Sequence, residues 1–175
     1  MEMTEKAFWK IIARFDWKKS GDDKAVLGPA CSALAKLPVE AIVAFDDMLS
    51  EKLHALDTRA HCEACYAGQQ DPDNGDDYIS ADDFLYSRCV VVANGRGLYE
   101  SVLETPAEMP QEMEFESLLY LAANAFEEKT GDSYEHVTPV DHESFQNEAG
   151  WAATSSTKPG RFTGAGVPPG NRRPT

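Results

Sequence analysis

The sequence predicts an all-α fold: a single-domain multi-helix bundle of about five to six helices, followed by a disordered C-terminal tail. Apolar residues recur at three- and four-residue steps from the N-terminus to about residue 129, the period that lines them along one face of a helix. Ser, Thr or Asp precedes several of these stripes and Gly, Asn or Pro follows them, as helix starts and stops require. The chain has 175 residues, 42% of them hydrophobic, with three Trp, six Tyr and eight Phe, enough to bury a core without disulfide staples.

Thr4 caps a first helix in which Phe8, Ile11, Ile12 and Phe15 share a face, with Trp9 beside them. Ser20, Gly21 and Asp22 break that pattern, and a second stripe of Leu27, Cys31, Leu34 and Leu37 runs up to Pro38. Pro38 suits the first turn of a third helix, where its missing N–H costs nothing. That helix carries Ile42, Phe45, Leu49, Leu53 and Leu56 and is expected to run on towards Tyr66. GQQDPDNGDD at 68–77 has the composition of a loop. Ser80 and Asp83 make a capping-box-like start for a fourth helix holding Phe84, Leu85, Cys89, Val91 and Val92, stopped at Asn94-Gly95. The Val90-Val91-Val92 run has high strand propensity and is the main challenge to an all-helical reading. A short helix with Leu98, Tyr99, Val102 and Leu103 follows, and a last one is expected over about 112–129, with Gly131 past its end. These elements define a helical domain over 1–150.

From Trp151 onward the chain reads WAATSSTKPGRFTGAGVPPGNRRPT, with four Pro and four Gly in 25 residues. Such a segment buries too little apolar surface to offset its ordering entropy, so 151–175 is expected to be a disordered, basic tail.

The formal net charge is −14, and its distribution matters more than its size. Residues 1–59 are nearly balanced, whereas 60–128 hold fifteen acids against only Arg88 and Arg96, and 152–175 hold four bases and no acid. A middle segment so one-signed repels phosphates, which argues against nucleic acid and against an anionic membrane as partners of the folded body; it favours a basic protein surface or cations. Plain solubility is the competing explanation for the same acidity. No stretch approaches a membrane-spanning length, the N-terminus lacks the layout of a secretion signal, and four Cys is ordinary usage, so a soluble, cytoplasmic protein with reduced thiols is expected.

Four stretches carry a resemblance. FWKII (8–12), LPVEAIVAFDDML (37–49), DDFLYSRCVVVANGRGLYESVLETP (82–106) and SLLYLAANAFEEKTG (117–131) resemble the bacterial domain-of-unknown-function 4240 family, over about residues 4–131. The resemblance implies a helical domain of unassigned biochemistry and transfers no catalytic residue. The Trp-rich link expected between the third and fourth helices is replaced by TRAHCEACYAGQQDPDNG, and everything after Gly131 lies outside the resemblance.

Three constellations are candidates for chemistry. His61, Cys62 and Cys65 supply part of a zinc shell or a redox dithiol, but Cys31 and Cys89 add no second CxxC, and two ordinary half-buried helical thiols is the favoured reading. The Asp cluster Asp71, Asp73, Asp76, Asp77, Asp82 and Asp83 imitates half of a calcium loop, yet Pro72 falls where a first ligand belongs and Asp77 where the turn needs Gly. The acid row Glu100, Glu104, Glu108, Glu112, Glu114 and Glu116 lies near Tyr99 and Tyr120, the combination that clamps a basic partner. There is no GxSxG, no phosphate-cradling Gly loop and no HExxH, and no cofactor is implied. His136 and His142 fall in a loop-like region and read as solvated.

The function these residues point to is a non-enzymatic acidic protein-binding module, an immunity-type inhibitor being one form. Its predicted contact residues are Asp73, Asp76, Asp77, Tyr78, Asp82, Asp83, Tyr99, Glu100 and Glu104. The alternative is a metal-binding or thiol-based enzyme centred on Cys62, Cys65 and His61.

Overall fold

The computed structural model describes residues 3–152. The expectation of a disordered tail therefore falls, apart from Trp151 and Ala152, outside the described residues. These hold eight α-helices and no strand; one isolated antiparallel bridge joins Gln70 to Asp77. The helices are α1 (Glu5–Ile12), α2 (Asp23–Ala35), α3 (Val39–Ala55), α4 (Arg59–Cys65), α5 (Ala81–Ala93), α6 (Arg96–Glu104), α7 (Leu121–Thr130) and α8 (Glu148–Trp151). None is long and apolar enough to cross a membrane.

Local chemistry sets most of the boundaries. Side chains of Thr4, Asp22, Thr58 and Ser80 each accept a main-chain N–H of the first turn of α1, α2, α4 and α5, at 2.9–3.3 Å. Gly131 closes α7 in the left-handed conformation, at φ 78°. The Val90–Val92 run is helical. All three side chains are buried, and packing on every side overrides their strand propensity.

Three expectations need correction. There are eight helices because the third does not continue to Tyr66: the chain leaves α3 at Leu56, Asp57 turns inward, and Thr58, in extended geometry, starts α4 afresh. The last large helix does not span 112–129. Glu112 has φ 53° and Phe115 is non-helical, at φ −149° and ψ 60°, and Phe115 packs against Phe15 and Trp17 before a 3₁₀ turn (Glu116–Tyr120) leads into α7. The eighth helix, α8, lies past Gly131, where the sequence predicts no element, and Trp151, placed by the sequence at the start of the tail, belongs to this helix.

The core centres on α3, which packs against α1, α2, α5 and α7. Phe8 stacks on Phe45 with ring centroids 4.8 Å apart, and Trp9 meets Tyr99 at 5.3 Å. α2 and α7 form the most extensive helix pair. Residues 132–151 then return across the outer side of α3 to end against α5.

Candidate functional site

α4 carries the first predicted site. Its inward face is His61, Cys62 and Cys65, all buried, not half-buried. Val102 O has no proton, so His61 Nε2 donates to it at 3.1 Å, and Nδ1 accepts from the Thr58 hydroxyl at 2.7 Å. Neither ring nitrogen is left for a metal. Cys65 Sγ is turned towards Cys62 O at 3.3 Å. Burial pushes the Cys65 thiol up to about 12 and Cys62 further in the same direction. Thiolate is both the nucleophile and the metal ligand, so this environment opposes both roles. Among the described residues no group of three or more His, Cys, Asp or Glu is placed to hold a metal ion.

The Asp loop folds largely upon itself. Asp71 and Asp76 pair through the main chain at 2.8 Å, the Asp71 and Asn74 side chains accept N–H groups two residues on, and Asp77 accepts from the Tyr66 hydroxyl. Asp73 and Asp76 remain exposed, as do Asp82 and Asp83 on the first turn of α5. Tyr78 is 38% exposed.

On α6 the predicted residues separate. Glu100 and Glu104 face outward, Glu100 paired with Arg96 at 2.7 Å. Tyr99 is not a surface contact: with Val102 it forms the inward stripe of this short helix and is 4% exposed. Its ring is held between Trp9 and the Lys52 ammonium, which sits 5.2 Å from the ring centre, and burial pushes its phenol up to about 12. The acid row had suggested an outward ring, but Tyr99 is three residues from Val102 and shares its face.

The structure instead gathers Tyr86, Glu116 and Tyr120. The Tyr120 hydroxyl donates to Glu116 Oε1 at 2.8 Å, and Tyr120 is 52% exposed. The Tyr86 phenol is pushed up first by desolvation and then by the charges of Glu116 and Asp82. One carboxylate thus stands between two phenols, with Asp82 close by and the exposed Met113 on the adjoining segment. Tyr120 also borders an open groove of about 600 Å³ between α2 and α7, floored by Leu27, Gly28 and Cys31 and edged by Glu127 and Glu128. Tyr86 lies within α5 and escaped sequence reasoning; only its separation from Glu116 by a loop of unknown course hid the pairing.

A second arrangement was also missed. Asp57 and Arg88 are fully buried. Asp57 accepts from the main-chain N–H groups of Phe145, Gln146 and Asn147 at 2.9, 2.7 and 2.9 Å, and from Trp151 Nε1 at 2.9 Å. Arg88 donates to Leu53 O, His142 O and Ser144 Oγ at 2.9–3.0 Å. The available signal was an Arg set in the apolar run SRCVVV.

The family model described as Protein of unknown function (DUF4240) matches residues 3–128. The chain belongs to this family. No curated protein and no solved structure matches it. The DUF4240 region contains Asp57, Arg88, the paired phenols and the groove, whereas the segment that binds Asp57 and Arg88 lies beyond it.

Proposed function

We propose that this DUF4240 chain is a non-catalytic, cytoplasmic protein-binding module that engages a basic partner through the acidic surface of residues 73–128, an inhibitor of immunity type being one concrete form. The observation that carries this reading is the Glu116 carboxylate set between Tyr86 and the exposed Tyr120, beside Asp82 and the Glu127–Glu128 groove edge. Of the two cations of this segment, Arg88 is buried and Arg96 offsets Glu100 alone, while Lys24 of α2 stands at the groove beside Glu127 and Glu128, leaving the acids in excess. Complementary potentials speed encounter with a basic surface, and Tyr supplies rigid contact area beside the charge. Asp82, Asp83, Tyr78, Glu100 and Glu104 extend the surface outward; Asp77 and Tyr99 serve the fold. The buried, protonated thiols favour this reading over thiol chemistry.

The test installs a photo-crosslinking residue at position 120 in living cells, identifies the captured protein, and measures its binding to the purified chain. Glu116→Gln and Tyr120→Ala are each expected to weaken binding about tenfold or more, and raising the salt to slow association. Capture of an acidic protein, or affinity indifferent to both salt and these substitutions, overturns the reading.

A further inference from the structure

Residues 132–151 are attached to the molecule by different means from everything before them. Among the described residues, every buried hydrophobic side chain comes from Met3 to Ala125; the return segment adds only the partly buried Tyr134, Phe145 and Trp151. Its attachment is polar and follows one stripe of α3. Tyr134 and His136 reach Asp46 and Asp47 at 3.1 and 2.6 Å, Ser50 donates to Val140 O at 2.6 Å, and His54 Nδ1 meets Asp141 O at 2.7 Å. Positions 46, 50, 54 and 57 recur at helical steps, and Asp57 and Arg88 complete the row from below. Most of these contacts go to the main chain of the return segment: carbonyls at 140, 141 and 142, then N–H groups at 145, 146 and 147.

The carbonyls at 140–142 are met along irregular backbone, while the three N–H groups converge on Asp57 from a turn in which Phe145 is left-handed, at φ 73°, just before α8. A surface that satisfies the main chain of a docked segment in this way, and adds one aromatic pocket, works as peptide-recognition grooves do. The pocket here takes Trp151, whose indole N–H reaches Asp57 while its ring meets Phe145 at 4.9 Å and Phe84 at 6.2 Å, under the Arg59 guanidinium. The seam is incompletely satisfied: Arg88 Nε on one side and His142 Nδ1 on the other have no hydrogen-bond partner. Between body and segment stand only Gly131, in its left-handed turn, and exposed Asp132 and Ser133.

We propose that the α3–α5 face is a peptide-binding groove, and that residues 133–151 occupy it as an exchangeable intramolecular ligand. The ligand class is a peptide that turns so as to present three consecutive N–H groups to one carboxylate, followed, four residues on and within one helical turn, by Trp; its defined member is this chain's own 133–151 sequence. Tethering raises the local concentration of the internal copy to the millimolar range, so the intact chain excludes external peptide.

The experiment inserts a protease site between Asp132 and Ser133 of the full chain, nicks the folded protein, and adds a fluorescent synthetic peptide of residues 133–152. The nicked protein is expected to keep its helical circular dichroism and to take up the peptide, while the un-nicked protein takes up at least about a hundredfold less. Placing Trp151→Ala in the peptide, or Asp57→Asn in the protein, is expected to weaken uptake at least about tenfold, since each removes a hydrogen bond to a buried charged group. Loss of helix on nicking, failure of the peptide to exchange, or uptake indifferent to both substitutions overturns the proposal.

Discussion

Phe45 in the middle of α3 and Asp57 two residues past its end hold the molecule by opposite means. Phe45 faces the body, where it stacks on Phe8 inside a continuous apolar core built by residues 3–125. Asp57 faces the return segment, where one carboxylate gathers four N–H donors and almost no fully buried apolar surface is shared. The apolar side is non-directional and tolerant, its strength set by area and fit. The polar side is directional: a single oxygen pair fixes the path of several residues, and removing it strands every donor. One helix thus presents two interfaces that should fail in different ways.

The largest expected effect comes from breaking the apolar one. Phe45→Ala leaves a cavity beneath Phe8 and is expected to cost about 3–5 kcal/mol in urea unfolding. Body and return segment should be lost together in one transition, because the segment has nothing else to dock on. Amide exchange should then speed up throughout the helices and at Phe145–Asn147 alike. Protection surviving at 145–147 while the body opens contradicts the picture of a segment resting on a finished core.

Asp57→Asn sharpens the same contrast from the other side. Asn keeps one acceptor oxygen but lacks the charge and replaces the second acceptor with a donor that faces N–H groups. The expected cost is about 1.5–3 kcal/mol, the range of a hydrogen bond to a charged group. Here the amides of Phe145, Gln146 and Asn147 should exchange faster while α2, α3 and α7 keep their protection. Uniform acceleration across the helices would show that the carboxylate supports the body as a whole.

This division also explains what the sequence disclosed. Apolar periodicity located α1, α2, α3, α5 and α6, because burial acts on every third or fourth residue of one helix and leaves a local record. Ser80 and Thr4 were legible as caps for the same reason, since the bonds they make span three residues. The family membership was legible in motifs that lie within the body. Asp46, Ser50, His54 and Asp57 also recur at helical steps, yet a polar stripe reads as a solvated face unless the segment that covers it is known. Their partners stand about 90 residues away, and such pairings leave no periodic trace. His136 was read as solvated for this reason, although its ring meets Asp47. Tyr99 differs: its spacing groups it with Val102 in the apolar stripe of the short helix, and that grouping, not the acids around it, decides its inward place.

The smallest effect separates the two interfaces by the sign of their response to acid. In the body, desolvation holds the His61 imidazole below the ordinary histidine value, with the bond to Val102 O only partly opposing this. The unfolded chain then binds the proton more readily than the folded one. Stability from this group is complete above about 6.5, where a free histidine titrates, and is lost as pH falls through that value towards the lowered folded one. Beneath the return segment, desolvation raises the Asp46 carboxyl, against the opposing pull of the Tyr134 hydroxyl. The folded chain therefore favours protonated Asp46, and acid in the carboxylate range relieves a penalty that neutral pH imposes. Asp46→Asn keeps an oxygen for Tyr134 and removes the charge, so it is expected to melt at or slightly above the wild-type temperature at pH 7, with the difference vanishing as Asp46 protonates. His61→Gln is expected to lie closer to wild type at pH 5.5 than at pH 7.5. Melting curves of the three proteins from about pH 7.5 down into the carboxylate range, to about pH 3.5, decide the matter: parallel displacement at every pH would mean that neither group titrates differently in the fold, whereas opposite slopes would show the body, at His61 on α4, and the seam beneath the return segment, at Asp46 on α3, answering protons with opposite sign.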